Sequence, residues 1–208
     1  MKIPQKPRWT MWDHNIHYHP FLLEQIPAGC RTALDVGCGA GLFARRVAEQ
    51  VREVTAIDRD PETIDAARSA AGDTGVRFLQ ADVMEAELPV GGFDFVSCLS
   101  ALHHMPLRPA LERLGCLVAP GGVLAVLGLY RVATPIDYAY VGGTALLDLA
   151  VGVVRHRTQA PVSTSQGVIA DWHDTLGEIR KVSGSLLPGA VIRRRMYDRY
   201  SLVYRRPA

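Results

Sequence analysis

Apolar residues in this chain gather in short runs, each closed by an acid or a glycine and followed by a stretch with helical spacing. The first run ends Leu34-Asp35-Val36, meets three alternate glycines, Gly37, Gly39 and Gly41, and gives way to a helix opening at Leu42. Val54 to Ile57 is a β-branched run ended by Asp58, and Pro61 to Ala71 has helical spacing with proline in its first turn, where the missing N–H costs nothing. Val76 to Gln80 and Phe93 to Leu99 read as a third and a fourth strand. Leu107 to Val118 then reads as a helix ended by Pro120-Gly121-Gly122, before a fifth buried strand over Val123 to Leu129. Strands that alternate with helices build a parallel sheet. The tail departs from this rhythm. Ala190 to Arg195 and Tyr200 to Arg205 are separated only by Met196-Tyr197-Asp198-Arg199, too few residues for a helical crossover, so they pair antiparallel. The pattern therefore predicts an α/β fold: a doubly wound, mostly parallel seven-stranded sheet whose last strand is antiparallel.

With 208 residues, nearly half of them hydrophobic, the chain suits one domain over 1–208. Two segments lie outside the alternation: a helical N-terminal lid segment, 1–30, and a lid insertion, 131–168, between the fifth strand and the last helix. A net charge of +2 carries no electrostatic message. The runs Arg45-Arg46, Arg193-Arg194-Arg195 and Arg205-Arg206 read as solvated faces of a helix and of strands, so no nucleic-acid partner is expected. Cys30, Cys38, Cys98 and Cys116 lack C-x-x-C spacing, which suits a reduced compartment. No apolar core follows the positive N-terminus, and the apolar window Ala139 to Val154 is interrupted by Asp148 and too short to span a bilayer. A cytoplasmic protein without stable membrane insertion, monomeric or homodimeric, is the expectation.

The glycine turn carries the first chemistry. Gly37, Gly39 and Gly41 let the backbone turn tightly and approach a ligand, with Asp35 closing the strand before them and Cys38 inside the turn. The unpaired N–H groups of the helix from Leu42 face that turn. In a doubly wound sheet ligands bind outside the carboxyl ends of the strands. Asp58, about twenty residues beyond the glycines, is placed there to accept both hydroxyls of a ribose, with Arg59 beside it. Gly39-Ala40-Gly41-Leu42-Phe43-Ala44 also fits the dinucleotide form G-x-G-x-x-A, but that register leaves Gly37 without a role.

The strand-ending acid with G-x-G-x-G, the run Phe93-Asp94-Phe95-Val96-Ser97-Cys98-Leu99-Ser100-Ala101-Leu102-His103-His104-Met105 and the Pro120-Gly121-Gly122 turn resemble, in that order, the motifs of class I S-adenosylmethionine-dependent methyltransferases of the small-molecule type. The resemblance covers Trp12 to Leu129, and the final hairpin agrees with it. It implies S-adenosylmethionine as cofactor and S-adenosylhomocysteine as product. It also implies that Asp82 bonds the adenine amino group with the Val83 backbone alongside, that Ser100 lies at the cofactor wall, and that Tyr18 and His19 fold over the methionine end. Strand four ends without the N-P-P-aromatic motif, and Lys2, Lys6 and Lys181 are the chain's only lysines, which disfavours macromolecular targets.

A small, hydrophobic organic acceptor, methylated on oxygen, nitrogen or carbon, is the expected substrate. The alternatives are an S-adenosylmethionine-binding protein without methyl transfer, as a partner subunit or repurposed cyclase, and an NAD-dependent oxidoreductase. A sulfonium methyl is already activated, so the protein must chiefly orient the acceptor, while hydroxyl acceptors gain from a positioned base. His103 and His104 are the candidate bases, His103 being the nearer to the strand. Asp13, His14, His17 and His19 could be read as metal ligands, but no distant acid is paired with them and no metal is expected. Pro135 to Arg157 is strongly apolar and reads as a core helix, a pocket wall or a face against a partner or membrane surface, with Trp172 and His173 at the start of the last helix.

Overall fold

The computed structural model describes residues 14–140, 142–143, 173–196 and 199–208. Seven strands form one sheet: β1 Thr32–Val36, β2 Glu53–Asp58, β3 Val76–Gln80, β4 Phe93–Leu99, β5 Val118–Leu129, β6 Val191–Arg195 and β7 Arg199–Arg205. Their spatial order is β3-β2-β1-β4-β5-β7-β6. β7 runs antiparallel to both of its neighbours and every other pairing is parallel, so the reversed strand is last in sequence but second from the edge in space. The order reverses between β1 and β4, which puts the carboxyl ends of β1, β2, β3 and β4 around one crevice.

Alternation along the central strands fills two layers. Leu34, Val36, Val96, Leu124 and Val126 face α5 (Leu107–Leu117) and α6 (Leu176–Leu186), burying Leu111, Leu114 and Ile179. Ala33, Phe95, Ala125 and Leu127 face α2 (His19–Leu23) and α3 (Leu42–Ala48), burying Leu22, Phe43 and Val47. α1 (His14–His17) precedes α2, and α4 (Pro61–Ala71) connects β2 to β3.

Two expected boundaries are corrected. The helix before β5 stops at Leu117, and Val118 already pairs with Phe93. Phe95 then pairs with Val123, so Pro120-Gly121-Gly122 is an irregularity inside the strand rather than a turn before it. Its extra residues are held by the chain end, where the Arg206 N–H donates to the Gly122 carbonyl at 2.9 Å. The last helix begins at Leu176, not at Trp172 and His173. Thr175 and Glu178 form a reciprocal capping box that sets this start. Trp172 lies outside the described residues, as do residues 1–13 and most of the insertion. The insertion's described part is helical over 135–140 and tied to β6: Asp137 is buried and paired with Arg194, whose Nε also donates to the Tyr130 hydroxyl at 3.2 Å. No helix among the described residues is long and apolar enough to cross a membrane.

Candidate active site

The crevice at the carboxyl ends of β1 to β4 is a cleft of about 370 Å³. β1 delivers Gly37, β2 delivers Asp58 and Arg59, the loop after β3 delivers Asp82 and Val83, and the turn after β4 delivers Ser100 and His104. Seven of the expected site residues thus share one wall. Gly37 has φ +66°, and a Cβ built there would stand 2.2 Å from the Ala101 Cβ. The missing side chain lets the β1 and β4 turns touch. A Cβ at Gly41 would meet the Phe78 ring at 2.5 Å, so α3 could not start so close to β3 with any larger residue.

The carboxylate of Asp58 organises the glycine turn. One oxygen accepts the Gly39 N–H at 2.9 Å and the other accepts the Asp60 N–H at 3.1 Å. Each carboxylate oxygen keeps a further lone pair for a ligand hydroxyl. Asp82 accepts the Met84 N–H at 2.9 Å, which folds the loop after β3 back over the cleft. That loop is held from behind by Arg113 of α5, whose guanidinium donates to the Val83 carbonyl at 3.1 Å and to the Ala86 carbonyl. No sequence pattern singles out Arg113, because its partners lie some thirty positions away and are backbone atoms.

Asp35 lies beneath the turn rather than in the cleft. It is 2% exposed, faces the α3 side of β1, and pairs across the sheet with Ser97, whose hydroxyl donates to it at 2.8 Å. Burial raises its pKa to about 7, the Ser97 hydrogen bond opposing and the nearby Asp58 charge adding to the rise. The Cys38 thiol is pushed up by burial and by the charges of Asp35 and Asp58, so it is an inert packing group. Gly39 reaches the cleft only through its bond to Asp58. Leu42 opens α3 on the outer surface, beside a hollow shared with Arg45 and Glu49.

At the other end of the wall, Ser100 adopts φ +51°, a strained left-handed conformation for a residue with a side chain. Its N–H donates to the Leu127 carbonyl at 2.7 Å, its hydroxyl donates to Asn15 Oδ1 at 2.7 Å, and it accepts from Arg199 Nη1 at 3.1 Å. One serine therefore joins the β4 turn to α1 and to the start of β7. Tyr18 and His19 are buried behind this junction: the Tyr18 hydroxyl donates to the Met196 carbonyl at 3.1 Å, and the His19 ring packs edge-on against Phe43 at 4.9 Å. They hold the N-terminal helices to the sheet and do not line the cleft.

The two histidines separate. His104 is exposed and lines the cleft, whereas His103 turns away toward a small hollow bounded by His173, Asp174 and Tyr200. A three-residue 3-10 turn, Leu102–His104, carries both, and the rings pack against each other with centroids 4.0 Å apart while lining different hollows. Burial lowers the His103 pKa to about 4, with the neighbouring His104 and Arg199 adding to the effect. At neutral pH its imidazole carries no charge.

Comparison with known proteins agrees with this geometry. The sequence profile of a methyltransferase domain matches residues 34–126, from β1 into β5. An uncharacterized methyltransferase of Mycobacterium tuberculosis is 38% identical over 197 residues, covering 94% of this chain and 98% of its own. The ubiquinone biosynthesis O-methyltransferase of Xanthomonas axonopodis pv. citri is 32% identical over 207 residues, covering 97% and 84%. Among solved structures, an S-adenosylmethionine-dependent methyltransferase from Mesorhizobium loti shares the fold with a TM-score of 0.63 at 22% identity, over 90% of this chain and 96% of that one. A seven-stranded sheet with one reversed strand, and an acid-lined cleft at its switch point, define the Rossmann-like methyltransferase class. The chain belongs to the class I S-adenosylmethionine-dependent methyltransferases, and S-adenosylmethionine is its cofactor.

Proposed function

We propose that this enzyme methylates a hydroxyl of a small, apolar organic acceptor, with His104 taking the hydroxyl proton. The observation that carries the reading is the position of His104 on the cleft wall, next to the neutral His103. The residues present fit the cofactor: the Gly37 cradle would be filled by any Cβ, and Asp58 and Asp82 offer acceptors along one wall of a cleft of about 370 Å³. In this reading Gly37 forms the floor, Gly39 holds the Asp58 carboxylate in place, Asp58 with Arg59 holds the ribose hydroxyls, Asp82 and the Val83 backbone hold the adenine edge, and Ser100 bounds the methionine end. S-adenosylmethionine, when bound, supplies a sulfonium methyl that needs no further activation. Orientation of the acceptor against it is worth roughly 7–11 kcal/mol, and a positioned base adds about 10²–10⁴ in rate.

The hydroxyl acceptor is favoured over an amine by the 32% identical relative, whose name is that of an O-methyltransferase and which matches nearly the whole chain. His104 accepts the proton in this scheme, and the His103 ring beside it is neutral. The insertion, 131–168, is proposed as the lid that walls the acceptor, anchored through the buried Asp137–Arg194 pair. The test is transfer of a labelled methyl group to a panel of phenols and aliphatic alcohols. Product mass rising by one methyl is expected. His104→Ala should lower kcat by about 10²–10⁴ with S-adenosylhomocysteine affinity unchanged, and His103→Ala should cost much less. Equal turnover by His104→Ala, or methylation confined to amines, contradicts the reading.

A further inference from the structure

A second cleft, of about 330 Å³, opens where β6 and β7 meet α2, and nothing in the methyl-transfer scheme uses it. Alternation along the hairpin points Val191, Arg193 and Arg195 of β6 and Ser201, Val203 and Arg205 of β7 to the same face. Phe21 and Gln25 form the opposite wall. Arg193 and Arg195 stand one repeat apart on this hollow and Arg205 lines its far end, in a chain whose net charge is only +2. Among the described residues no acidic residue lines the hollow, and no carboxylate stands within ion-pair distance of Arg193, Arg195 or Arg205.

The arginines are not simply the charges that keep an exposed sheet edge from pairing. Such charges act along the rim of the strand, whereas these side chains stand perpendicular to the sheet and line its face. Two of them are also pre-arranged. Arg195 lies over the Phe21 ring at 4.1 Å and donates through Nε to the Ser201 hydroxyl at 2.9 Å, which leaves its two terminal nitrogens facing the hollow. Arg205 reaches Gln25 Oε1 at 3.4 Å, and Gln25 is itself fixed by donating to the Phe21 carbonyl at 3.0 Å. Arg193 sits one side-chain repeat from Arg195, about 7 Å along the strand, a span that a phosphate can bridge. The remaining walls are apolar: Phe21, Val203 and Val191, the last 51% exposed.

We propose that this cleft binds a small organic phosphate. Arg193 and Arg195 hold the phosphate oxygens with paired N–H donors, Phe21 with the two valines covers the apolar part of the ligand, and Arg205 bounds the far end of the cleft. The proposal is independent of the methyl-transfer scheme, since no residue of the cofactor cleft takes part.

The probes are phenyl phosphate, inorganic phosphate and phenol, titrated by calorimetry into the full chain at low salt, with and without saturating S-adenosylhomocysteine. Submillimolar binding of phenyl phosphate is expected in both cases, with weaker binding of inorganic phosphate, none of phenol, and loss of affinity as salt is raised. The double variant Arg193→Gln/Arg195→Gln should weaken phenyl phosphate at least tenfold while leaving S-adenosylhomocysteine affinity within twofold, which also shows that the variant folds. Phe21→Leu should weaken phenyl phosphate more than inorganic phosphate, the latter losing only the support of the ring beneath Arg195. Failure of phenyl phosphate to bind at millimolar concentration, or equal binding by the double variant, overturns the proposal. A wild-type dimer that the same double variant dissociates also overturns it, since the face is then an interface between copies.

Discussion

Two clefts of similar size, about 370 and about 330 Å³, open on one sheet with opposite charge. The first is lined by Asp58, Asp60 and Asp82 with Arg59, and each of these follows directly from the end of a parallel strand. The second is lined by Arg193, Arg195 and Arg205, set by alternation within a hairpin. Groups at strand ends are gathered by topology, because a parallel sheet brings the same end of every strand to one edge. Groups along strand faces are gathered by register, and an offset of one residue would turn each of them to the other side. The acidic cleft is therefore robust to small changes in pairing and the basic cleft is not.

The strongest way to break the first cleft is to fill its cradle. Gly37→Ala forces a Cβ onto Ala101 at a left-handed φ, and S-adenosylhomocysteine affinity is expected to fall at least hundredfold, about 2.7 kcal/mol. Adding Ala101→Gly should recover part of the loss, because it relieves the clash but not the backbone strain. Titration of both variants checks this. Removing the acid at the end of β2 comes next: Asp58→Ala frees the Gly39 and Asp60 amides and should weaken binding at least tenfold, about 1.4 kcal/mol. Unchanged affinity in a folded variant would remove Asp58 from the ribose site.

A smaller effect is expected behind the wall. Arg113→Ala releases the Val83 and Ala86 carbonyls and loosens the loop that carries Asp82, so affinity for S-adenosylhomocysteine should drop by a few-fold, on the order of 1 kcal/mol. The basic cleft is untouched by this change, and phenyl phosphate binding serves as its control. An equal loss at both clefts would mean global destabilisation instead.

The mildest test concerns pH. Asp35 titrates near 7 in the folded protein and near 3.8 when unfolded, so between those values the folded state holds more protons and this group's contribution to stability falls as pH rises. Asparagine keeps the Ser97 hydroxyl as a hydrogen-bond donor to its oxygen and never ionises. Asp35→Asn should match the wild type only below about pH 4 and exceed it in denaturant midpoint by a margin that grows up to about pH 8. His103 acts with the opposite sign. Its folded pKa of about 4 lies below the ordinary 6.5, so its contribution is lost as pH falls through that window, and it cancels when variant and wild type are compared at one pH. Equal midpoints at the higher pH would show that Asp35 ionises as readily beneath the glycine turn as in the unfolded chain.

Most of the acidic cleft was legible in the sequence because its parts are local signals. A buried run, an acid and a glycine turn each occupy neighbouring positions, and strand ends meet by rule. The early start of β5 was not, because Val118 joins the strand through a register shift opposite Phe93. Neither was the separation of His103 from His104, which a 3-10 turn imposes and helical or strand spacing does not suggest. The links from Ser100 to Asn15 and Arg199 join positions 85 and 99 residues away, and the Arg194–Asp137 pair spans 57. Contacts of that separation leave no trace in a single sequence. The same holds for the basic cleft: its arginines were visible as runs, but only the pairing of β6 with β7 and the packing of α2 turn them to one hollow.

The central claim is that the acid-lined cleft at the sheet's switch point holds S-adenosylmethionine. Calorimetric titration of the wild-type chain with S-adenosylhomocysteine, with a nicotinamide dinucleotide as control, tests it most directly. Micromolar, one-to-one binding of S-adenosylhomocysteine alone is predicted; a folded protein that takes the dinucleotide instead, or neither ligand, contradicts the account.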